Sequence, residues 1–394
     1  LKTSIFEQSS DILITCAPDL SPLTAREIAQ LSIPIKKILI HGIVVEGTAQ
    51  TAMYLCMHLR TANKVLFLLK EAQADTPEDL YRVTKKINWD NYFSNTSYFS
   101  IDSFVQNSTI RDTRFANVKC KDAIADYFVE KTGTRPDSGP LRDKVVIFLY
   151  WKESSLSIYL DLSGEPISRH GYRVNPWKAP MAEPLAAGVV ITSEWNPETP
   201  FINPMCGSGT LAIEAALIGI NKIPGLIRNE YAFQHIHGYD EATWHTMKKM
   251  AMHQVKSSLP FKIIASDHDQ RALDAAKGNA EIAGVDHLID FVLSDFQDTP
   301  IEADQEGVVI LNPEYGERLG DEESLVLTYK EIGDFFKQKC GGYKGFVFTG
   351  NLELAKRIGL KPKRKIKFFS AKIECRLMQY ELYSGTKRVV FKTE

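Results

Sequence analysis

From residue 200 onward one pattern repeats: a short apolar run, a turn rich in Gly, Asp or Asn, then a stretch with helical spacing. The apolar runs fall at 200–203, 262–266, 289–293, 308–311 and 345–349, with helical stretches such as 210–218 and 270–283 between them. Short unbroken apolar runs suit strands covered on both faces. The pattern therefore predicts a doubly wound parallel sheet. The tail departs from it. Residues 366–369 and 376–383 lie too close together for a helix between them and are expected to pair antiparallel.

Before residue 160 the pattern is mixed. Strands are expected at 11–16, 38–46, 65–70 and 97–105, helices at 20–31, 49–59, 77–87 and 119–131, and a hairpin from 145–150 and 156–162. Ser21 or Thr24 is available to cap the first helix, Pro77 stands near the start of the third, and Gly133 stops the fourth. This predicts an α+β region in two layers. Residues 161–178, rich in Gly, Pro and Ser, read as the linker.

The length of 394 residues suits two or three domains at about 150 residues each. With 44% hydrophobic and 24% charged residues, disorder is excluded. No apolar run approaches the ~18 residues of a membrane helix, so no membrane association is expected. The first residues lack the basic start and long apolar stretch of a signal peptide. A net charge of -2 argues against a general nucleic-acid coat but allows local patches. Candidates for phosphate contact are Arg111, Arg114, Lys119 and Lys121, and the run 361–367 with Lys363, Arg364 and Lys365. Solvated surface is the competing reading for each. The six cysteines form no C-x-x-C pair, which fits reduced thiols in a cytoplasm. His235, His237, Asp240 and His245 lack a second ligand set, so no metal is expected.

Four motifs stand at ends of the expected parallel strands. Asn203-Pro-Met-Cys-Gly-Ser-Gly-Thr210 joins a strand to a helix. Its glycines allow a tight turn and close approach of a ligand to free helix N–H groups. It lacks the Lys-Ser/Thr of a phosphate loop and the third Gly of a dinucleotide fingerprint. Asp267 ends the next strand, where a carboxylate suits ribose hydroxyls. Asp269 is the better cap for the following helix. Asp295 could accept from an adenine amino group, with Phe296 packing on the ring. Leu311-Asn-Pro-Glu-Tyr-Gly316 ends the fourth strand. Each alone could be ordinary turn chemistry. Together they fall on the carboxyl edge of one sheet, where open α/β folds bind ligands.

NPMCGSGT, SDHDQRALDAAKGNA, LSDF and NPEYGERLG resemble the S-adenosylmethionine-dependent methyltransferases that modify exocyclic amines. LRTANKVLF (59–67), INWDNYF (87–93), VKCKDAIADYF (118–128), DLSGEPISRHGYR (161–173), APMAEPLAA (179–187), PGLIRNEYAF (224–233) and IECRLMQY (373–380) are similar, in order, to the THUMP-containing 23S ribosomal RNA guanine-N2 methyltransferases. The resemblance covers nearly the whole chain. It implies a ferredoxin-like segment at 1–48, a THUMP RNA-binding domain at 49–163, a linker at 164–180, and a Rossmann-like class I methyltransferase domain at 181–394 with an antiparallel last strand. It further implies S-adenosylmethionine as cofactor, held by Asn203, Met205, Cys206, Gly207, Gly209, Asp267, His268, Asp295 and Phe296. Ribosomal RNA or an assembly particle is the implied partner of a cytoplasmic monomer.

On this resemblance, Asn312 and the Pro313 carbonyl accept the hydrogens of the target amine, and Tyr315 stacks on a base taken out of its helix. Cys206 is expected to be a small apolar residue and no nucleophile. Three positions depart from the family pattern: Asn203 for Asp, Ala182 for Lys or Arg, and Glu314 for the second Pro of Asn-Pro-Pro-Tyr. A carboxylate at Glu314 would favour guanine, whose pairing edge carries N1–H and N2–H donors. Adenine-N6 methylation of DNA or RNA, and a degenerate RNA-binding or ribosome-assembly protein, are the alternatives.

Overall fold

The computed structural model describes residues 4–107, 110, 112–175, 177–178, 180–302, 305–315 and 322–383. The chain forms two compact units, Leu1–Arg169 with Pro224–His253, and His170–Ile223 with Gln254–Glu394.

The first unit begins β1 (Ser10–Cys16), α1 (Ser21–Gln30), β2 (Ile35–Leu39), β3 (Gly42–Gly47), α2 (Ala49–His58) and β4 (Ala62–Gln73). It continues α3 (Pro77–Lys85), β5 (Tyr98–Gln106), α4 (Thr113–Thr132), β6 (Asp137–Ser138), β7 (Val145–Lys152) and β8 (Ser155–Asp161). All eight strands share one sheet in the order β2-β3-β1-β4-β8-β7-β5-β6. The long strand β4 joins its halves, pairing with β1 at Ile12↔Phe67 and with β8 at Phe67↔Leu160. Side chains alternate across the sheet. Ile12, Ile14, Val45, Phe67, Ile147, Leu149 and Leu160 share one face and are fully or almost fully buried.

Two local expectations are corrected here. Residues 38–46 are not one strand but parts of the β2–β3 hairpin, Ile38 pairing with Ile43. The apolar run continues through the turn because Ile40 sits exposed at its tip. Neither Ser21 nor Thr24 caps α1. Ser21 Oγ donates to the Leu39 carbonyl at 2.8 Å, and Thr24 Oγ1 bonds the Leu20 carbonyl and Thr61. Elsewhere the cap chemistry is orthodox: α3 opens with a Thr76–Asp79 capping box, and α4 stops at Gly133 with φ 72°.

Beyond Arg169 follow α5 (Glu183–Ser193), β9 (Phe201–Pro204) and α6 (Thr210–Gly219). Next comes α7 (Glu241–His253), whose segment packs with the first unit. Then come β10 (Ile263–Asp267), α8 (Gln270–Ala283), β11 (Ile289–Leu293), β12 (Val308–Leu311), α9 (Glu322–Lys339), β13 (Lys344–Thr349), α10 (Leu352–Arg357), β14 (Arg364–Ser370) and β15 (Ile373–Glu381). Seven strands form the sheet β11-β10-β9-β12-β13-β15-β14, parallel up to β13, with β15 antiparallel to both β13 and β14. Every residue of β9 and β12 is buried, as strands covered on both faces require. The core on one side gathers Val309, Leu311, Tyr329, Phe335 and Phe336. No helix among the described residues is long and apolar enough to cross a membrane.

Candidate functional site

β9 lies between β10 and β12, and the chain leaves it in opposite senses on the two sides. Register sets Asn203 beside Ala265 and Ile202 beside Val309, so the carboxyl ends of β10, β9 and β12 are neighbours. A crevice outside such a switch point is the usual ligand position of an open α/β sheet.

The loop after β9 bends through left-handed backbone at Met205 (φ 55°), Gly207 (φ 55°) and Gly209 (φ 78°). The two glycines serve different ends. A Cβ on Gly209 would come within 2.8 Å of Ala276 Cβ, so this glycine lets α8 pack closely. A Cβ on Gly207 would meet nothing within 4 Å, which leaves open space on the crevice side. Gly207 N–H donates to Asp267 Oδ2 at 2.9 Å, and Asp269 N–H donates to Asp267 Oδ1 at 3.0 Å. Each carboxylate oxygen keeps a lone pair for a further donor. Asp269 itself caps α8 by accepting from Arg271 N–H at 3.0 Å. Asp269 is thus the cap expected of it. His268 beside them is exposed.

Asn203 is fully buried. Its Nδ2 donates to the Ile310 carbonyl at 2.9 Å, while its Oδ1 has no hydrogen-bond partner. The side chain thus ties β9 to β12 beyond their last backbone register pair, where the strands diverge. Cys206 is buried too, and burial together with the Asp267 charge pushes its thiol well above the ordinary range. A thiolate nucleophile is therefore disfavoured.

After β12, Asn312 is half-buried and its Oδ1 is a second buried acceptor without a partner. Pro313 is buried and Glu314 exposed. The Tyr315 ring lies against Gly350, whose hypothetical Cβ would approach Tyr315 Cε2 to 2.8 Å. Its hydroxyl accepts from Cys375 Sγ at 3.7 Å, and burial pushes its pKa up to about 12. Gly316, which closes this motif, lies outside the described residues.

Asp295 is exposed at the end of β11, where it accepts from Gln297 N–H at 3.0 Å. Phe296 corrects an expectation: its ring is buried edge-on to Phe335, with centroids 5.8 Å apart, and belongs to the hydrophobic core. An apolar side chain following a polar turn has more to gain there than at a solvent-facing crevice.

The basic candidates are dispersed. Arg111 lies outside the described residues. On α4, Arg114 pairs with Asp112 at 2.8 Å, Lys119 reaches Glu78 at 3.5 Å, and Lys121 is half-buried. On the edge strand region, Lys363 pairs with Glu381, Arg364 with Glu194 at 3.3 Å, and Lys365 is exposed. Lysines on an edge strand also discourage pairing with other chains.

Sequence reasoning missed the residues that hold the loop before α5. Arg173 pairs with Glu183 at 3.3 Å and donates to Thr210 Oγ1 at 3.1 Å and to the Met181 carbonyl. Asn279 accepts from Val174 and Asn175 N–H and donates to the Ser208 carbonyl at 3.3 Å. Buried Glu214 accepts from Tyr172 Oη at 2.7 Å and lies 2.7 Å from His170 Nδ1. The available signal was Glu214 itself, a lone charge in the apolar helix TLAIEAALIG.

Three family models match in chain order: an RlmL ferredoxin-like domain at residues 11–66, a THUMP domain at 74–161, and an RMKL-like methyltransferase domain at 170–379. The chain is 35% identical, over 94% of its length, to the ribosomal RNA large subunit methyltransferase K/L of Psychromonas ingrahamii, covering 50% of that protein. It thus spans about half the length of the curated relatives it matches. Among solved structures it is similar to SMU.472 in complex with SAH (TM-score 0.87, 25% identity, 96% of this chain and 100% of the other). It is also similar to a Listeria monocytogenes protein named as an N6-adenine-specific DNA methylase (TM-score 0.84, 29% identity, 96% of this chain and 97% of the other).

Proposed function

We propose, from the premise that this chain belongs to the RMKL-like methyltransferase family, that it transfers a methyl group from S-adenosylmethionine to N2 of a guanine in large-subunit ribosomal RNA. The observation that carries this reading is one crevice edge with two complementary halves. On one side, the open space above Gly207 and the carboxylate of Asp267 suit a nucleoside donor. On the other, Asn312 holds a buried acceptor without a partner. The donor supplies an activated methyl group, so the protein's work is mainly alignment.

In this reading Asp267 takes the ribose hydroxyls and Asp295 the adenine amino group, while the turn at Met205–Gly209 brings the backbone close. Asn312 Oδ1 and the Pro313 carbonyl accept the hydrogens of the target amine and draw its lone pair out of the ring. Tyr315, seated against Gly350, presents its remaining face to the base. Lys365, with the α4 cations, contributes to RNA phosphate contact. The large-subunit ribosomal RNA assignment follows the names of the curated relatives, and the guanine assignment follows the motif resemblance of the sequence. The name of the Listeria protein favours adenine N6 as a second reading.

The test is transfer of labelled methyl to large-subunit ribosomal RNA, followed by nucleoside analysis. N2-methylguanosine is expected. N6-methyladenosine would replace the reading by the second one, and absence of transfer to RNA, ribosomal particles and DNA would reject both.

A further inference from the structure

We infer that Gly350 is a positioning residue for the transfer step: by carrying no side chain it fixes where the Tyr315 ring stands, and through that ring the plane of the target base. This rests on the reading above, in which Tyr315 stacks on the base. Two acceptors, at Asn312 and Pro313, hold the amine but leave the base free to swing about that edge. A third contact must fix its plane, and a stacked ring supplies one worth about 1–3 kcal/mol per base. The ring serves alignment only if its own orientation is set beforehand.

Tyr315 stands past the end of β12, so the contacts that orient it come from elsewhere: from β13, from β15 and from just beyond β13. The Phe348 ring meets it edge-on, with centroids 6.4 Å apart at 64°. Cys375 Sγ approaches its hydroxyl at 3.7 Å. Gly350, directly after β13, closes the seat. A Cβ there would lie 2.8 Å from Tyr315 Cε2, 2.9 Å from Tyr315 Cδ2 and 3.0 Å from Ile373 Cγ2. Carbon atoms pack at about 3.5–4.0 Å, so all three are too close. The backbone at Gly350 is not left-handed, so room alone demands glycine here. Ile373 stands at the same point as the ring, which leaves the end of β13 no space to slide away from it. A methyl group at 350 must therefore push the half-buried ring outward by roughly 1 Å.

The experiment uses the full chain and the nucleic acid methylated in the transfer assay. Gly350→Ala is expected to lower kcat by about 100-fold, the loss that a misplacement of about 1 Å brings, with KM for the nucleic acid and calorimetric affinity for S-adenosylhomocysteine within about 3-fold. Tyr315→Ala removes the ring and lowers kcat as well. Adding Gly350→Ala to it should cost less than about 2-fold more, because no ring is left to displace. Losses that multiply in the double variant overturn the inference and leave the methyltransferase reading intact, as does an unchanged kcat in Gly350→Ala. If Gly350→Ala alone fails to fold, the double variant decides. Folded and as active as Tyr315→Ala, it supports the inference; unfolded, it overturns it. An unaltered protein that methylates neither RNA nor DNA rejects the methyltransferase reading and the inference with it.

Discussion

At the residue scale the fate of each polar atom decides its role. Asn203 is the clearest case: a neutral amide donates to a carbonyl that a carboxylate could only repel. Asn203→Asp is expected to cost about 1–3 kcal/mol, since it leaves buried acceptors facing each other. Burial would raise the pKa of the new carboxyl, so the protonated form is tolerated and the loss grows as pH rises. Urea unfolding at pH 4 and pH 7 measures this, because a rise of ~1–2 units above the ordinary ~3.9 puts the change between them; equal losses at both would refute it. Sequence alone identified the strand-end aspartates and separated Asp267 from Asp269, because a cap needs its acceptor immediately before the helix. It could not show that Phe296 turns inward or that Lys119 has an acidic neighbour, since both depend on which element lies opposite. Glu78 is 41 residues from Lys119.

At the element scale, legibility followed periodicity. α8 and β11 fall where the pattern put them, bounded by an Asp cap and by Gly284 with φ 64°. The β2–β3 turn was hidden because an exposed isoleucine occupies it. α2 carries a pH response. His58 closes that helix, its Nδ1 lies 2.8 Å from the Tyr54 carbonyl, and burial depresses its pKa below 6.5. A neutral imidazole is favoured in the fold. Its contribution is thus present above the unfolded pKa and lost as pH falls through the lower folded value. Thermal unfolding should show a decline below about pH 6.5 that His58→Gln makes shallower; identical pH profiles would exclude His58 as its source.

At the scale of the whole molecule, sequence order and spatial grouping part company. The segment Pro224–His253 is embedded between α6 and β10, yet it packs with the first unit. Arg228 fastens it, donating to the carbonyls of Ser163, Glu165 and Pro166 at 2.7–2.9 Å. Gly225 sits against the backbone of Met57, and His237 N–H donates to the Tyr92 carbonyl at 2.8 Å. Tyr231, Phe233 and Trp244 stack within the segment and are buried. No local pattern announces such an excursion, because its partners lie far upstream. A fragment of residues 170–394 is expected to expose these aromatics, bind a hydrophobic dye and unfold without a sharp transition. The same fragment with 224–253 replaced by a short Gly/Ser linker should regain a sharp one. A native-like transition in the unmodified fragment would contradict this.

The excursion also bears on inheritance. A recombination event that exchanged everything after residue 169 for the corresponding stretch of a distant homologue would import a foreign Arg228 and a foreign aromatic cluster into a native cradle of carbonyls. The two halves of the polypeptide are therefore expected to descend together, and chimaeras should succeed only when the grafted half leaves residues 224–253 with their original host.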